Sequence, residues 1–181
     1  LTFYSINKSE IETYLQKMSL KNRKFKCVVL RPATVFGGSS SIRFDIVINM
    51  LIGMSITYNK IILNSDGSAM RPFVYIDDLC NFFYKSIGFD ENFLTVNAGF
   101  NNYNFSINNV SKIISKLTGA EIIKNVSSLH SELHKDSLIK KSKDERSYQV
   151  NFELAKKKLN ISPKYSFEKS INRTYLDIKK I

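Results

Sequence analysis

Short apolar runs alternate along this chain with longer stretches in which apolar residues return every three or four positions. Ile6, Ile11, Tyr14, Leu15 and Met18 recur at helical steps and predict an opening helix with one apolar face. A polar, basic turn at 21–26 separates it from Cys27-Val28-Val29-Leu30. That continuous apolar run is typical of a strand covered on both faces of a parallel sheet. Arg31 to Phe36 leads into the loop Gly37-Gly38-Ser39-Ser40-Ser41. Phe44, Val47, Ile48, Leu51 and Ile52 mark a second helix, which Gly53 is expected to close. Ile61-Ile62-Leu63 reads as a brief strand, Ser65-Asp66-Gly67 as a turn, and Phe73-Val74-Tyr75 as another extended piece. Asp77 or Asp78 is expected to cap a third helix carrying Leu79, Phe82, Phe83 and Ile87.

Downstream, Leu94-Thr95-Val96-Asn97 is a second buried-strand candidate. Ser106 is placed to cap a helix through Val110, Ile113, Ile114 and Leu117, with Gly119 as its stop. The segment 121–126 predicts a strand, and the charged, weakly periodic segment 127–146 a long loop. After a short extended piece at 147–150, two helices are expected around 152–159 and 167–178, with Pro163 between them and Ser166 capping the last. Strands alternating with helices predict the α/β class.

Composition changes this picture mainly by exclusion. In 181 residues, 43% are hydrophobic and 24% charged, which is ordinary for a globular domain and unlike a disordered one. No apolar run approaches the ~18 residues of a membrane span, and no charged-then-apolar leader is present, so a cytoplasmic chain is expected. Cys27 and Cys80 both sit in apolar stretches and are expected to be buried, reduced thiols. The net charge is +11, but only six of the basic residues are arginine, and the lysines are scattered. The densest run is Lys140-Lys141-Ser142-Lys143, extended by Arg146. Aromatics do not interleave with lysines as on a single-strand nucleic-acid platform, so a module binding RNA or acidic partners rests on charge alone. An anion site for a phosphorylated small molecule fits the same excess. His130 and His134 lie four apart with no third ligand nearby, so no metal site is expected. The chain opens on Leu1 rather than Met and runs straight into helical periodicity, and it is therefore expected to be the C-terminal part of a longer protein.

One pair carries candidate chemistry. Tyr4 and Lys8 stand four apart and share a helix face. A free tyrosine titrates near pH 10, and a cation one turn away favours its phenolate. The same ammonium can hydrogen-bond a ribose hydroxyl. The bare spacing is weak evidence, since Tyr165/Lys169 and Tyr175/Lys179 repeat it. Tyr4/Lys8 alone precedes a strand, the run Leu30-Arg31-Pro32-Ala33-Thr34-Val35-Phe36-Gly37 and then Asp66-Gly67-Ser68-Ala69-Met70-Arg71-Pro72-Phe73-Val74-Tyr75-Ile76-Asp77-Asp78-Leu79.

In this order of motifs, continued by Thr95-Val96-Asn97-Ala98-Gly99 and by Arg146-Ser147-Tyr148-Gln149-Val150-Asn151, the sequence resembles the extended short-chain dehydrogenase/reductases, specifically the NAD-dependent epimerase/dehydratase family acting on nucleotide sugars. The resemblance covers nearly the whole chain. It implies a Rossmann-like parallel sheet from approximately 1–36 and 73–100, and a small mixed α/β substrate-binding region from 37–72 and 101–181. It also implies Tyr4 as acid/base, Lys8 as its partner and ribose ligand, and Ala33 as the backbone that approaches the nicotinamide. Thr34, Arg43, Asn49, Arg71 and Arg146 would face the nucleotide sugar, with Arg71 and Arg146 on its phosphates. The implied cofactor is NAD or NADP, held by the full-length protein, which the resemblance allows to be a homodimer; neither nucleic acid nor membrane is an implied partner. Two family features are missing. The chain contains no glycine-rich pyrophosphate loop, and the family's catalytic Ser/Thr lies upstream of its Tyr-x-x-x-Lys, where Thr2 is too close to serve. These 181 residues thus carry half of such an active site and are expected to be inactive alone; an inactive remnant of such an enzyme would read the same way.

Overall fold

The structure, a computed structural model, describes residues 2–124 and 147–181. Its elements in chain order are α1 (Phe3–Lys21), β1 (Cys27–Pro32), β2 (Thr34–Phe36), α2 (Val47–Tyr58), β3 (Lys60–Leu63), β4 (Met70–Tyr75), α3 (Ile76–Ile87), β5 (Phe93–Ala98), β6 (Asn104–Ser106), α4 (Ile107–Thr118), β7 (Glu121–Lys124), α5 (Glu153–Leu159) and α6 (Phe167–Ile178). β1 runs parallel to β5, with Cys27 opposite Phe93 and Pro32 opposite Ala98. β2 runs parallel to β4, and β4 carries antiparallel β6 on its other side. β3 and β7 form a separate parallel pair. This is the expected α/β class.

Local chemistry explains most boundaries. The Ser106 hydroxyl accepts from the Asn109 N–H at 3.1 Å to start α4, and Gly119, at φ +78°, ends it in the left-handed region that favours glycine. Ser166 caps α6 in the same way, accepting from the Lys169 N–H at 3.3 Å. Gly67 turns at φ +73°, and the Asp66 carboxylate accepts the Ser68 N–H at 2.9 Å.

Four expectations fail for identifiable reasons. Gly53 does not close α2, which continues to Tyr58 and stops at left-handed Asn59. The Phe44 ring lies 3.1 Å from where a Cβ of residue 53 would stand, so Gly53 answers a packing need. Neither Asp77 nor Asp78 caps α3; Tyr75 holds the N-cap position without a side-chain bond, and Asp78 turns into the core. The thiols are not both buried, for Cys27 is partly buried and Cys80 is exposed. Finally, the apolar face of α1 points outward. Ile6, Ile11, Tyr14 and Met18 are exposed, while Ser5, Glu12, Leu15 and Ser19 form the covered stripe. Polar contacts dock this helix: Arg31 Nε donates to Glu12 at 2.9 Å, and the Ser19 hydroxyl donates to the Asn92 carbonyl at 2.8 Å.

The core is aromatic where β2, β4 and α6 meet. The Phe167 ring touches those of Phe36, Phe73, Tyr103 and Phe105, the last stacked at 4.3 Å between centroids. Asp78 is fully buried beside this core. One carboxylate oxygen accepts the Lys164 backbone N–H at 2.8 Å, tying the α5–α6 connection to α3, and the other has no partner among the described residues. Burial raises the pKa of this carboxyl above its ordinary value, the Lys164 N–H opposes the rise, and the Asp77 charge adds to it. Folding therefore takes up a proton here. The associated stability is complete below the unfolded value near ~3.9 and is lost as pH rises through the higher folded value. In urea denaturation from acid to neutral pH, the native chain should lose stability relative to Asp78→Asn as pH rises. A difference independent of pH would contradict this ionisation.

Candidate functional site

Two docking contacts set the direction of α1. Ser19 meets Asn92, just before β5 begins, whereas Glu12 meets Arg31, near the end of β1. The helix thus runs antiparallel to β1. At 1.5 Å per residue, Lys8 lies ~6 Å and Tyr4 ~12 Å beyond Glu12, past the C-terminal ends of β1 and β5. Open α/β sheets bind their ligands at that edge. The Lys8 ammonium sits 5.4 Å from the centroid of the Tyr4 ring, and Tyr4 is 72% exposed.

Ala33 is the joint between β1 and β2. Its N–H donates to the Ala98 carbonyl at 2.9 Å, which draws the backbone across the end of β5, and its side chain is buried. Thr34 follows at once, half-buried and in register with Phe73 on β4. Arg71 lies two residues upstream of Phe73 on that strand. Its Nη1 donates to the Met70 carbonyl at 2.8 Å, and its guanidinium carbon is 5.4 Å from the Tyr148 ring centroid. The segment carrying Tyr148 is bonded to β4, because the Met70 N–H donates to the Ser147 hydroxyl at 3.0 Å and the Tyr148 N–H donates to the Met70 carbonyl at 3.2 Å. Thr34 and Arg71 therefore belong to paired strands, with Ala33 at the head of the first and Arg71 next to the chain that follows Arg146. Arg146 lies outside the described residues, as do the 127–146 loop, the last two residues of the 121–126 strand, and His130 and His134.

Arg43 and Asn49 do not share a helix. Arg43 lies in the loop ahead of α2, whose N-cap is Ile46. Its exposed guanidinium makes a two-point pair with exposed Asp45, with Nε 3.1 Å from one carboxylate oxygen. The pairing raises the Arg43 value and lowers that of Asp45. Asn49 is on α2 and buried. Its oxygen accepts the Gly37 N–H at 3.3 Å and its nitrogen donates to the Arg43 carbonyl at 3.1 Å. One amide thus pins both ends of the loop that follows β2. The loop is also held from behind. Gly37 sits at φ +140° with no room for a side chain against Ile76, and a Cβ on Gly38 would overlap Asp177 of α6. A glycine- and serine-rich stretch that reads as flexible is therefore a fitted backbone. The contacts of Arg71 with Tyr148 and of Gly38 with Asp177 join positions far apart in the sequence, and no local pattern signals them. Among the described residues, no group of three or more His, Cys, Asp or Glu side chains is placed to hold a metal, and no helix is long and apolar enough to cross a membrane.

A model of the NAD dependent epimerase/dehydratase family matches residues 1–99. The chain belongs to that family. The span matching the epimerase/dehydratase model contains Tyr4, Lys8, Ala33, Thr34, Arg43, Asn49 and Arg71. Solved structures agree with the fold. The chain is similar to UDP-N-acetylglucosamine 4-epimerase from Methanobrevibacter ruminantium, with a TM-score of 0.76 at 19% identity over 98% of this chain and 53% of that one. It is similar to UDP-glucose 4-epimerase from Thermotoga maritima, with a TM-score of 0.71 at 22% identity over 98% and 53%. For UDP-glucuronic acid 4-epimerase from Bacillus cereus, solved with UDP-glucuronic acid and NAD, the TM-score is 0.68 at 23% identity over 88% and 47%. The chain spans about half the length of these structures. No curated protein matches it.

Proposed function

We propose that this chain is the acid/base and nucleotide-sugar side of an NAD- or NADP-dependent epimerase, dehydratase or reductase, acting in the cytoplasm together with a dinucleotide-binding unit that the 181 residues do not contain. The observation that carries the reading is the Tyr4/Lys8 pair, solvent-accessible and directed past the C-terminal edge of the β1–β5 sheet. The fit to a nicotinamide cofactor rests on the same edge, where the Ala33 backbone crosses beside Lys8's end of the sheet. Bound there, NAD would accept a hydride from the sugar and return it. Tyr4 is the acid/base that exchanges a proton with a sugar hydroxyl, and Lys8 is its partner and hydrogen-bonds a ribose hydroxyl. Thr34 touches the sugar nucleotide, Arg71 and Arg146 bind its phosphates, and Arg43 edges the loop whose shape Asn49 fixes. The 181-residue chain alone neither turns over substrate nor holds NAD, for want of a pyrophosphate loop. This reading allows the full-length protein to be a homodimer.

Arg71 provides the test. A charge-assisted contact to a diphosphate contributes about 1.5–3 kcal/mol. In a longer chain that includes the dinucleotide-binding unit, Arg71→Ala should weaken nucleotide-sugar binding roughly tenfold to a hundredfold, at ~1.4 kcal/mol per decade, and leave NAD binding unchanged. Arg71→Lys should recover part of the loss, since an ammonium lacks the planar two-point contact. Calorimetric titration with each ligand decides. Equal damage to both affinities would assign Arg71 to the fold rather than to phosphate.

A further inference from the structure

Tyr148 lies outside every residue set considered above for ligand contact, yet it is the aromatic partner of Arg71. We propose that Tyr148 is a positioning residue that holds the Arg71 guanidinium in the plane needed to meet a diphosphate; this rests on the phosphate role of Arg71 given above. The ring centroid lies 5.4 Å from the guanidinium carbon, inside the ~6 Å reach of a cation–π contact. The Met70 carbonyl accepts both the Arg71 Nη1 at 2.8 Å and the Tyr148 N–H at 3.2 Å. One acceptor therefore fixes the base of the ring and one edge of the guanidinium together. Tyr148 cannot drift from this place. Ser147 accepts the Met70 N–H on one side. On the other, Asn104 grips Val150 through a pair of bonds of 3.0 and 3.1 Å, and Asn101 accepts the Phe152 N–H at 2.8 Å. A half-exposed ring on so tightly bonded a strap adds little to the core; among the described residues its ring contact is with the arginine.

A guanidinium is planar by itself; one bonded at an edge and laid against a ring also has the direction of that plane fixed, which two-point contact with phosphate oxygens requires. A lysine at position 71 would gain no such orientation, and a leucine at position 148 would supply bulk without a π face.

Two measurements on the 181-residue chain test the proposal. In NMR spectra without ligand, the Arg71 Hε resonance should move in Tyr148→Ala and in Tyr148→Leu, which both lose the ring current, and stay in place in Tyr148→Phe. In calorimetric titrations with UDP, Tyr148→Ala should weaken binding about twofold to fivefold, equivalent to ~0.5–1 kcal/mol at ~1.4 kcal/mol per decade. Tyr148→Phe should stay within twofold, and Tyr148→Ala should have no further effect in an Arg71→Ala background. An Arg71 Hε resonance that ignores the loss of the ring would overturn the proposal. So would an undiminished Tyr148→Ala effect in the Arg71→Ala background, which would mean that the ring touches the nucleotide itself. Failure of the native chain to bind UDP while the Hε resonance still responds to Tyr148→Ala would overturn the phosphate role of Arg71, and this proposal with it.

Discussion

Replacing Tyr4 by phenylalanine, in a chain that includes the dinucleotide-binding unit, should lower turnover by about a hundredfold to ten-thousandfold, the range of a lost general acid/base. The phenolic oxygen is the only atom group removed, and α1 keeps its N-cap, its docking contacts and its length. Tyr4 is exposed, so no core packing is lost with the hydroxyl. Nucleotide-sugar affinity should stay within a few-fold, because the hydroxyl acts chiefly in the transition state. Steady-state kinetics together with equilibrium titration separate the two quantities. Turnover close to that of the unaltered enzyme would make Tyr4 an ordinary helix-face residue and move the acid/base elsewhere.

Phe167→Ala should cost about 3–5 kcal/mol of folding stability, the range for deleting a buried aromatic ring. The side chain is buried against four other rings from β2, β4, β6 and the turn before β6. None of these neighbours can close the space without breaking its own edge-on or stacked contact. Phe167→Leu, which keeps most of the volume, should cost under about 1.5 kcal/mol. Urea or guanidinium unfolding of the three chains provides the comparison. A loss near 1 kcal/mol for the alanine variant would mean that α6 is not integral to the core.

The elements most legible in the sequence were those whose signals are local. β1 announced itself as an unbroken apolar run, β5 as a short β-rich stretch, α4 by Ser106 and Gly119, and α6 by Ser166. β6 was not foreseen, since three residues pairing with β4 carry no periodicity of their own. Gly53 misled because a glycine demanded by the Phe44 ring looks the same as a glycine that ends a helix. The orientation of α1 misled for a similar reason. Apolar spacing names a face without saying what lies against it, and Glu12 and Ser19 took the sheet. In the candidate site, Tyr4 and Lys8 could be picked out by spacing and motif order, and Arg71 by the resemblance of its motif to the family. The link from Arg71 to Tyr148, and the pinning of the loop by Asn49, depend on backbone bonds across long stretches of chain.

The polar attachment of α1 has a consequence for motion. Regions with few buried apolar contacts open at lower free energy than the core around them. In the 181-residue chain, α1 offers one covered leucine, one hydroxyl and one ion pair to the sheet, against the ring cluster that anchors α6. Arg31 holds the Glu12 carboxyl below its ordinary value, so the ion pair strengthens the attachment at neutral pH and gives it up as acid protonates Glu12. Amides of α1 therefore exchange with solvent through local detachment of the helix, while those of β4 and α6 wait for unfolding of the whole. Tyr4 and Lys8 ride on the segment that lets go first.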